Sequence, residues 1–141
     1  MRTMSEDEVR DFLTNGARTG KLATTREDGS PDVVPVWFVV DGDDIVFTCA
    51  STSVKARNLA RDPRAALVVD DEAFPYAFVT VRGTVEMTVR PNDLLTWTTR
   101  IAARYVAADR AEEYGERNEQ FDDCLVRLAP ERTLARAEVA A

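Results

Sequence analysis

At 141 residues, with 45% hydrophobic and 30% charged residues, the chain has the composition of one globular domain with a full core. Its net charge of −7 argues against nucleic acid as a partner, because neutralising phosphates requires clustered cations. The absence of histidine excludes Ser-His-Asp and Cys-His catalysis and every histidine-ligated metal or haem site, and no residue is assigned to a metal.

The longest apolar run, residues 33–40, is too short to cross a bilayer, and the acidic, polar start does not read as a signal peptide. The expected setting is the cytoplasm, with no membrane partner. Cys49 and Cys124 lack paired spacing, which fits a reducing compartment rather than a disulfide framework.

In chain order, Ser5-Glu6-Asp7-Glu8 is a capping box, and Val9, Phe12 and Leu13 form the apolar stripe of a helix that stops at Gly16. Strands are predicted over 21–25 and 32–40, joined by an Asp28-Gly29 turn. Pro35 within the second implies an edge, a bulge or a ladder position that needs no donor. A turn at 41–44 leads into a strand over 45–49. Ser51, Thr52 and Ser53 then join that strand to a helix with Lys55 in its first turn, and Asp62-Pro63-Arg64 breaks back to a buried strand over 65–70.

A long strand over 76–89 contains Gly83, which marks a bulge or a barrel corner. Pro91-Asn92-Asp93 opens a helix whose Leu94, Trp97, Ile101, Ala102 and Tyr105 keep helical spacing. Residues 110–120 are charged and helical or irregular. Closing strands over 124–128 and 133–139 flank an Ala129-Pro130 break. The expected fold is mainly β: a Greek-key-like antiparallel barrel with flanking helices, forming a single domain over 1–141.

The strand-to-helix junction has two readings from local chemistry. Thr48, Ser53 and Lys55, with the helix N-terminal amides, are suited to grip a phosphate. Equally, one of Ser51, Thr52 and Ser53 is an ordinary N-cap and Lys55 a solvated side chain. Lys55 is one of only two lysines, the other being Lys21. Arg57 lies on a different side of the helix and faces an acidic partner or a second anionic group.

Val34-Pro35-Val36-Trp37 suits the wall of a planar ligand, whose edge would meet strand N–H and C=O groups; Trp37 either stacks there or fills the core. The aromatic loop Phe74-Pro75-Tyr76 folds over a site or packs against a dimer partner. Trp97 and Tyr105 read as core, and the pairs Glu112-Glu113 and Asp122-Asp123 as solvated surface charge.

The order of these pieces resembles the split β-barrel flavoproteins, the pyridoxamine phosphate oxidase-like family. The matching residues are 20–24, 28–31, 34–38, 45–48, 53–59 and 62–64, followed by the long strand with Gly83. Lys55-Ala56-Arg57-Asn58-Leu59 and Arg104-Tyr105-Val106 further resemble actinobacterial deazaflavin-dependent reductases. The resemblance implies a cofactor at a homodimer interface, held through Val34, Pro35, Val36, Trp37, Thr48, Ser53, Val54, Lys55, Ala56, Arg57 and Phe74. Lys55 and Ser53 would hold its phosphate, Thr48 would lie near the ribityl-phosphate chain, and residues 34–37 would form the ring-edge strand. Phe74 would belong to a loop that covers the partner's cofactor.

One departure matters: flavin-mononucleotide (FMN) oxidases of the family carry arginine just before the junction lysine, where this chain has Val54. Their ring-edge strand also carries basic residues where Val34 and Trp37 stand here. The departures favour coenzyme F420 over FMN. The implied activity is hydride transfer between reduced deazaflavin and a small conjugated or heteroaromatic substrate. An FMN-dependent oxidase or reductase, or a carrier of flavin or deazaflavin without turnover, are the alternatives. No catalytic residue is assigned; Tyr76, a water or a carboxylate would have to supply any proton.

Overall fold

Eight strands and four α-helices make up the computed structural model, which describes residues Met1–Ala141. They are β1 (Arg2–Thr3), α1 (Glu6–Thr14), β2 (Gly20–Thr25), β3 (Pro31–Val36), β4 (Val39–Asp41), β5 (Asp44–Cys49) and α2 (Val54–Arg61). There follow β6 (Arg64–Asp71), β7 (Ala77–Val89), α3 (Leu94–Tyr105), a 3-10 turn at Ala108–Arg110, α4 (Ala111–Phe121) and β8 (Cys124–Ala137). All pairings are antiparallel, in the order β3-β2-β6-β7-β8-β5-β4, with β1 on the end of β8.

The two ends of this path, β3 and β4, are consecutive in sequence. Trp37-Phe38 therefore carries the chain from one edge of the sheet to the other, closing the barrel covalently where no ladder closes it. The strand expected over 32–40 is thus two strands with a break at Trp37-Phe38. Pro35 sits on the edge strand β3, opposite Lys21 of β2, where its missing N–H costs no ladder bond on the free side.

Alternation of buried and open positions along β2, β6 and β7 points Leu22, Leu67, Val69, Val79 and Val81 inward. These meet Phe47, Val126 and Leu128 in the main core. Removing such a side chain from water contributes about 1.5–3 kcal/mol each. β5 is buried on both faces. Its Ile45 and Phe47 face the main core, while Val46 meets Val39 and Ile101 under α3.

The closing segment corrects a sequence expectation. Residues 124–137 form one strand across the Ala129-Pro130 break, because a bulge absorbs the irregularity: Arg82 pairs with Arg132 but Gly83 with Pro130. Gly83 is required there, since a β-carbon would collide with the Ala129 carbonyl. The charged stretch after residue 110 is helical. The capping box forms as read, with Ser5 Oγ accepting from the Glu8 amide at 3.2 Å and Glu8 Oε1 accepting from the Ser5 amide at 3.2 Å. No helix is long and apolar enough to cross a membrane.

Candidate functional site

A groove of about 270 Å3 opens between the end of β3, the end of β5, the first turn of α2 and the pair α3–α4. Five of the residues singled out in the sequence line it: Pro35, Val36 and Trp37 along one wall, Thr48 and Lys55 at the other end. Cys49, Thr98, Ile101, Asn118 and Asp122 complete the lining. The segments are distant in sequence and meet because β5 pairs with β8 in the register Thr48 to Leu125, which brings the end of α4 against the β5–α2 junction.

At the junction, both local readings hold in part. Ser53 is the N-cap of α2, its Oγ accepting from the Ala56 amide at 3.2 Å. Lys55 is half-buried, lines the groove, and makes no ion pair or hydrogen bond. The other lysine, Lys21, is committed to Asp70 at 2.8 Å. A half-buried ammonium without a partner facing a polar groove fits an anionic ligand rather than a solvated surface residue.

The remaining expected residues fall outside the groove. Val34 packs partly against the main core, Ala56 is buried within it, and Val54 and Arg57 are exposed. Phe74 is 73% exposed and meets Tyr76 in an edge-on contact at 5.8 Å between ring centroids. In a single subunit, Phe74 covers nothing.

The Trp37 wall is held in place. Its ring stacks on Tyr105 at 5.0 Å and 7° between planes, which fixes its orientation while Trp37 also lines the groove. Tyr105, expected as plain core, is a clasp: its hydroxyl donates to the Arg18 carbonyl at 2.9 Å and accepts from the Phe38 amide at 3.2 Å. Burial pushes its pKa up. Beside it, Arg104 lies over the Phe38 ring and donates to the carbonyls of Gly16 (3.1 Å) and Phe38 (3.0 Å). Together these bonds fix the break between β3 and β4 and hence the wall.

Asp122 and Asp123, read from sequence as solvated charge, are instead the other side of the junction. Asp123 accepts from the Ser51 amide at 2.6 Å and the Ser51 hydroxyl at 2.8 Å, bonds that hold its carboxyl below the usual range. Asp122 Oδ2 accepts from the Thr48 hydroxyl at 3.0 Å inside the groove. Burial pushes the Asp122 carboxyl up, opposed by the Thr48 hydrogen bond and the charge of Lys55 and reinforced by Asp123. Sequence carried one signal for this pair: it ends a helix immediately before a strand.

Cys49 and Cys124, isolated in sequence, are direct cross-strand partners of β5 and β8; both are buried and free. The Cys124 sulfur beside it and burial hold the Cys49 thiol well above its usual range, so it lacks the thiolate character of a nucleophile.

A split barrel of paired antiparallel strands, open along one edge strand, with a polar groove ending in an unpartnered lysine, defines the flavin-binding split-barrel class. The chain belongs to that class by sequence as well: residues 5–137 match the family model for pyridoxamine 5'-phosphate oxidase, so it is a member of this family. Among solved structures, the conserved hypothetical protein Rv2991 of Mycobacterium tuberculosis is 28% identical, with a TM-score of 0.79 over 96% of this chain and 86% of that one. An F420 reductase is also 28% identical, with a TM-score of 0.66 over 87% of this chain and 94% of the other. The heme storage protein HutZ of Vibrio cholerae shares the fold over the full length of both chains, at 21% identity and a TM-score of 0.73.

Proposed function

We propose that the protein is a homodimeric oxidoreductase that uses coenzyme F420 to exchange hydride with a small conjugated or heteroaromatic substrate. The observation that carries this reading is the groove itself, which gathers Pro35, Val36 and Trp37 at one end and Thr48 with the unpartnered Lys55 at the other. That is the arrangement a planar ring with a phosphate-bearing tail requires. Bound there, the deazaflavin would supply the hydride chemistry.

The chain's own residues would position and shield. Lys55 neutralises phosphate charge, and Val36 and Trp37 exclude water from one side of the ring. The open edge of β3 offers backbone N–H and C=O groups to the ring's polar edge. At about 270 Å3 the groove falls below the usual size of an enclosing ligand site, which supports a second copy of the chain completing it. Exposed Phe74 then belongs to the surface that meets the partner's cofactor.

Val54 in place of arginine leaves Lys55 as the only cation in the groove, and the likeness to an F420 reductase at 28% identity supports deazaflavin over FMN. Activity is tested by mixing the protein anaerobically with reduced F420 and a panel of conjugated acceptors, following the return of deazaflavin absorbance. Acceptor-dependent reoxidation at a rate well above that of the mixture without protein is expected. F420 that binds but is never oxidised with any acceptor would make the protein a carrier.

A further inference from the structure

Beside the β7 bulge lies a second cavity, of about 590 Å3, whose charged lining is Arg64, Arg82, Arg132 and Glu131 among small side chains of β2 and β6. The bulge arranges these charges. With Gly83 opposite Pro130 and Thr84 opposite Ala129, an unbroken ladder would place Arg82 opposite Glu131. Instead Glu131 is the extra residue, and Arg82 stands opposite Arg132. A favourable cross-strand pair of opposite charge is thereby exchanged for a pair of like charge, which destabilises an antiparallel ladder. The side chains of Arg82 and Arg132 are exposed and form no ion pair or hydrogen bond, whereas Arg64 is engaged by Asp62 at 2.7 and 3.0 Å. Glu131 turns to Thr84, accepting from its hydroxyl at 2.6 Å.

We propose that this cavity binds a small anionic molecule through a multiply charged oxygen group, phosphoryl or paired carboxylates, set between Arg82 and Arg132. A guanidinium is planar and donates two parallel hydrogen bonds to a carboxylate or phosphate, so two of them opposite each other engage both ends of one such anion. The bound anion removes the repulsion that the bulge creates, and the free chain carries that repulsion because the pair serves recognition. The cavity has the volume of a site that encloses a small molecule. It shares no lining residue with the groove at Lys55, so the proposal stands apart from the cofactor reading.

Inorganic pyrophosphate and succinate are titrated by calorimetry at pH 8 and low salt, with sodium chloride at matched ionic strength as the reference. The host is the Lys55→Ala protein, which lacks the cation of the groove, alone or carrying Arg82→Gln, Arg132→Gln or Arg132→Glu. Saturable binding of at least one of the two anions to the host is expected, weaker by about tenfold or more in each glutamine variant and absent with Arg132→Glu. A preference for pyrophosphate assigns a phosphoryl ligand, and a preference for succinate a dicarboxylate. Separately, Arg132→Glu in the otherwise unsubstituted protein restores the opposite-charge pair and should raise its melting temperature without anion by about 1–4 °C. No saturable binding to the host beyond that of chloride, or equal affinity in the host and its arginine variants, overturns the site. An Arg132→Glu protein that melts no higher than the unsubstituted one overturns the premise that the arginine pair is costly when empty.

Discussion

Inside the barrel, Leu22, Phe47, Leu67 and Val126 come from strands that repeat every second residue, and each is sealed from solvent. Outside it, the groove joins residues 35–37, 48–55 and 98–122, which follow no common period and leave Lys55 without a partner. The interior follows from alternation, which each strand carries in its own sequence. The groove follows from register, which no single strand carries. Stability and specificity are therefore separable in this molecule, and substitutions should divide accordingly.

The largest effect lies inside. Phe47→Ala should lower unfolding free energy by about 3–5 kcal/mol in urea titration, since the ring is 0% exposed among rigid neighbours. A loss under about 1 kcal/mol would mean the interior collapses around the gap, and the contrast with the groove would weaken. Next comes the β7 bulge. Gly83→Ala should cost about 1–3 kcal/mol, read as a lower melting temperature, because its methyl group meets the Ala129 backbone rather than a movable side chain.

At the boundary between the two regions, Ser53 serves α2 as a cap. Ser53→Ala should lose about 1 kcal/mol, and Ser53→Asp should regain it while weakening F420 binding by adding negative charge beside Lys55. Restored stability with unchanged F420 affinity would confine Ser53 to capping.

The smallest effect belongs to Asp122. Its folded-state pKa is raised, chiefly by burial, so the folded protein binds protons more tightly than the unfolded chain. Its contribution to stability therefore falls as pH rises through the ordinary aspartate range towards that raised value. The groups facing it are Thr48 from β5, Lys55 from α2 and Asp123 beside it. Asp122→Asn should raise the melting temperature by about 2–4 °C at pH 7, with the gain shrinking towards pH 4. A gain independent of pH would place the cost of Asp122 in packing rather than in charge.

Much of the fold was legible in local chemistry. The capping box at Ser5, the bulge at Gly83, the edge position of Pro35 and the α3 stripe each follow from a residue's own conformational limits. Two strand boundaries did not. The run 32–40 is uniformly apolar, so nothing in it marks Trp37-Phe38 as the place where the chain leaves one sheet edge for the other. Ala129-Pro130 reads as a terminator, yet pairing across the bulge carries the strand through it.

For the site, Thr48 and Lys55 were visible as junction chemistry, and Pro35 to Trp37 as an apolar strand wall suited to a planar ligand, which the family resemblance reinforced. Asn118 and Asp122 were not, because their approach depends on β5 pairing with β8 at Thr48 and Leu125. Phe74 is exposed and lies outside the groove, so the sequence expectation that it covers a cofactor finds no counterpart within the chain.

The central claim is that Lys55 holds the phosphate of a deazaflavin cofactor, and the F420 dissociation constant of Lys55→Ala beside that of the unsubstituted protein tests it most directly. Affinity is expected to weaken by roughly 1.5–3 kcal/mol, with at most a small fall in melting temperature from loss of the Lys55 charge that favours the Asp122 carboxylate. Equal affinity in the two proteins would contradict it and return Lys55 to the solvated surface.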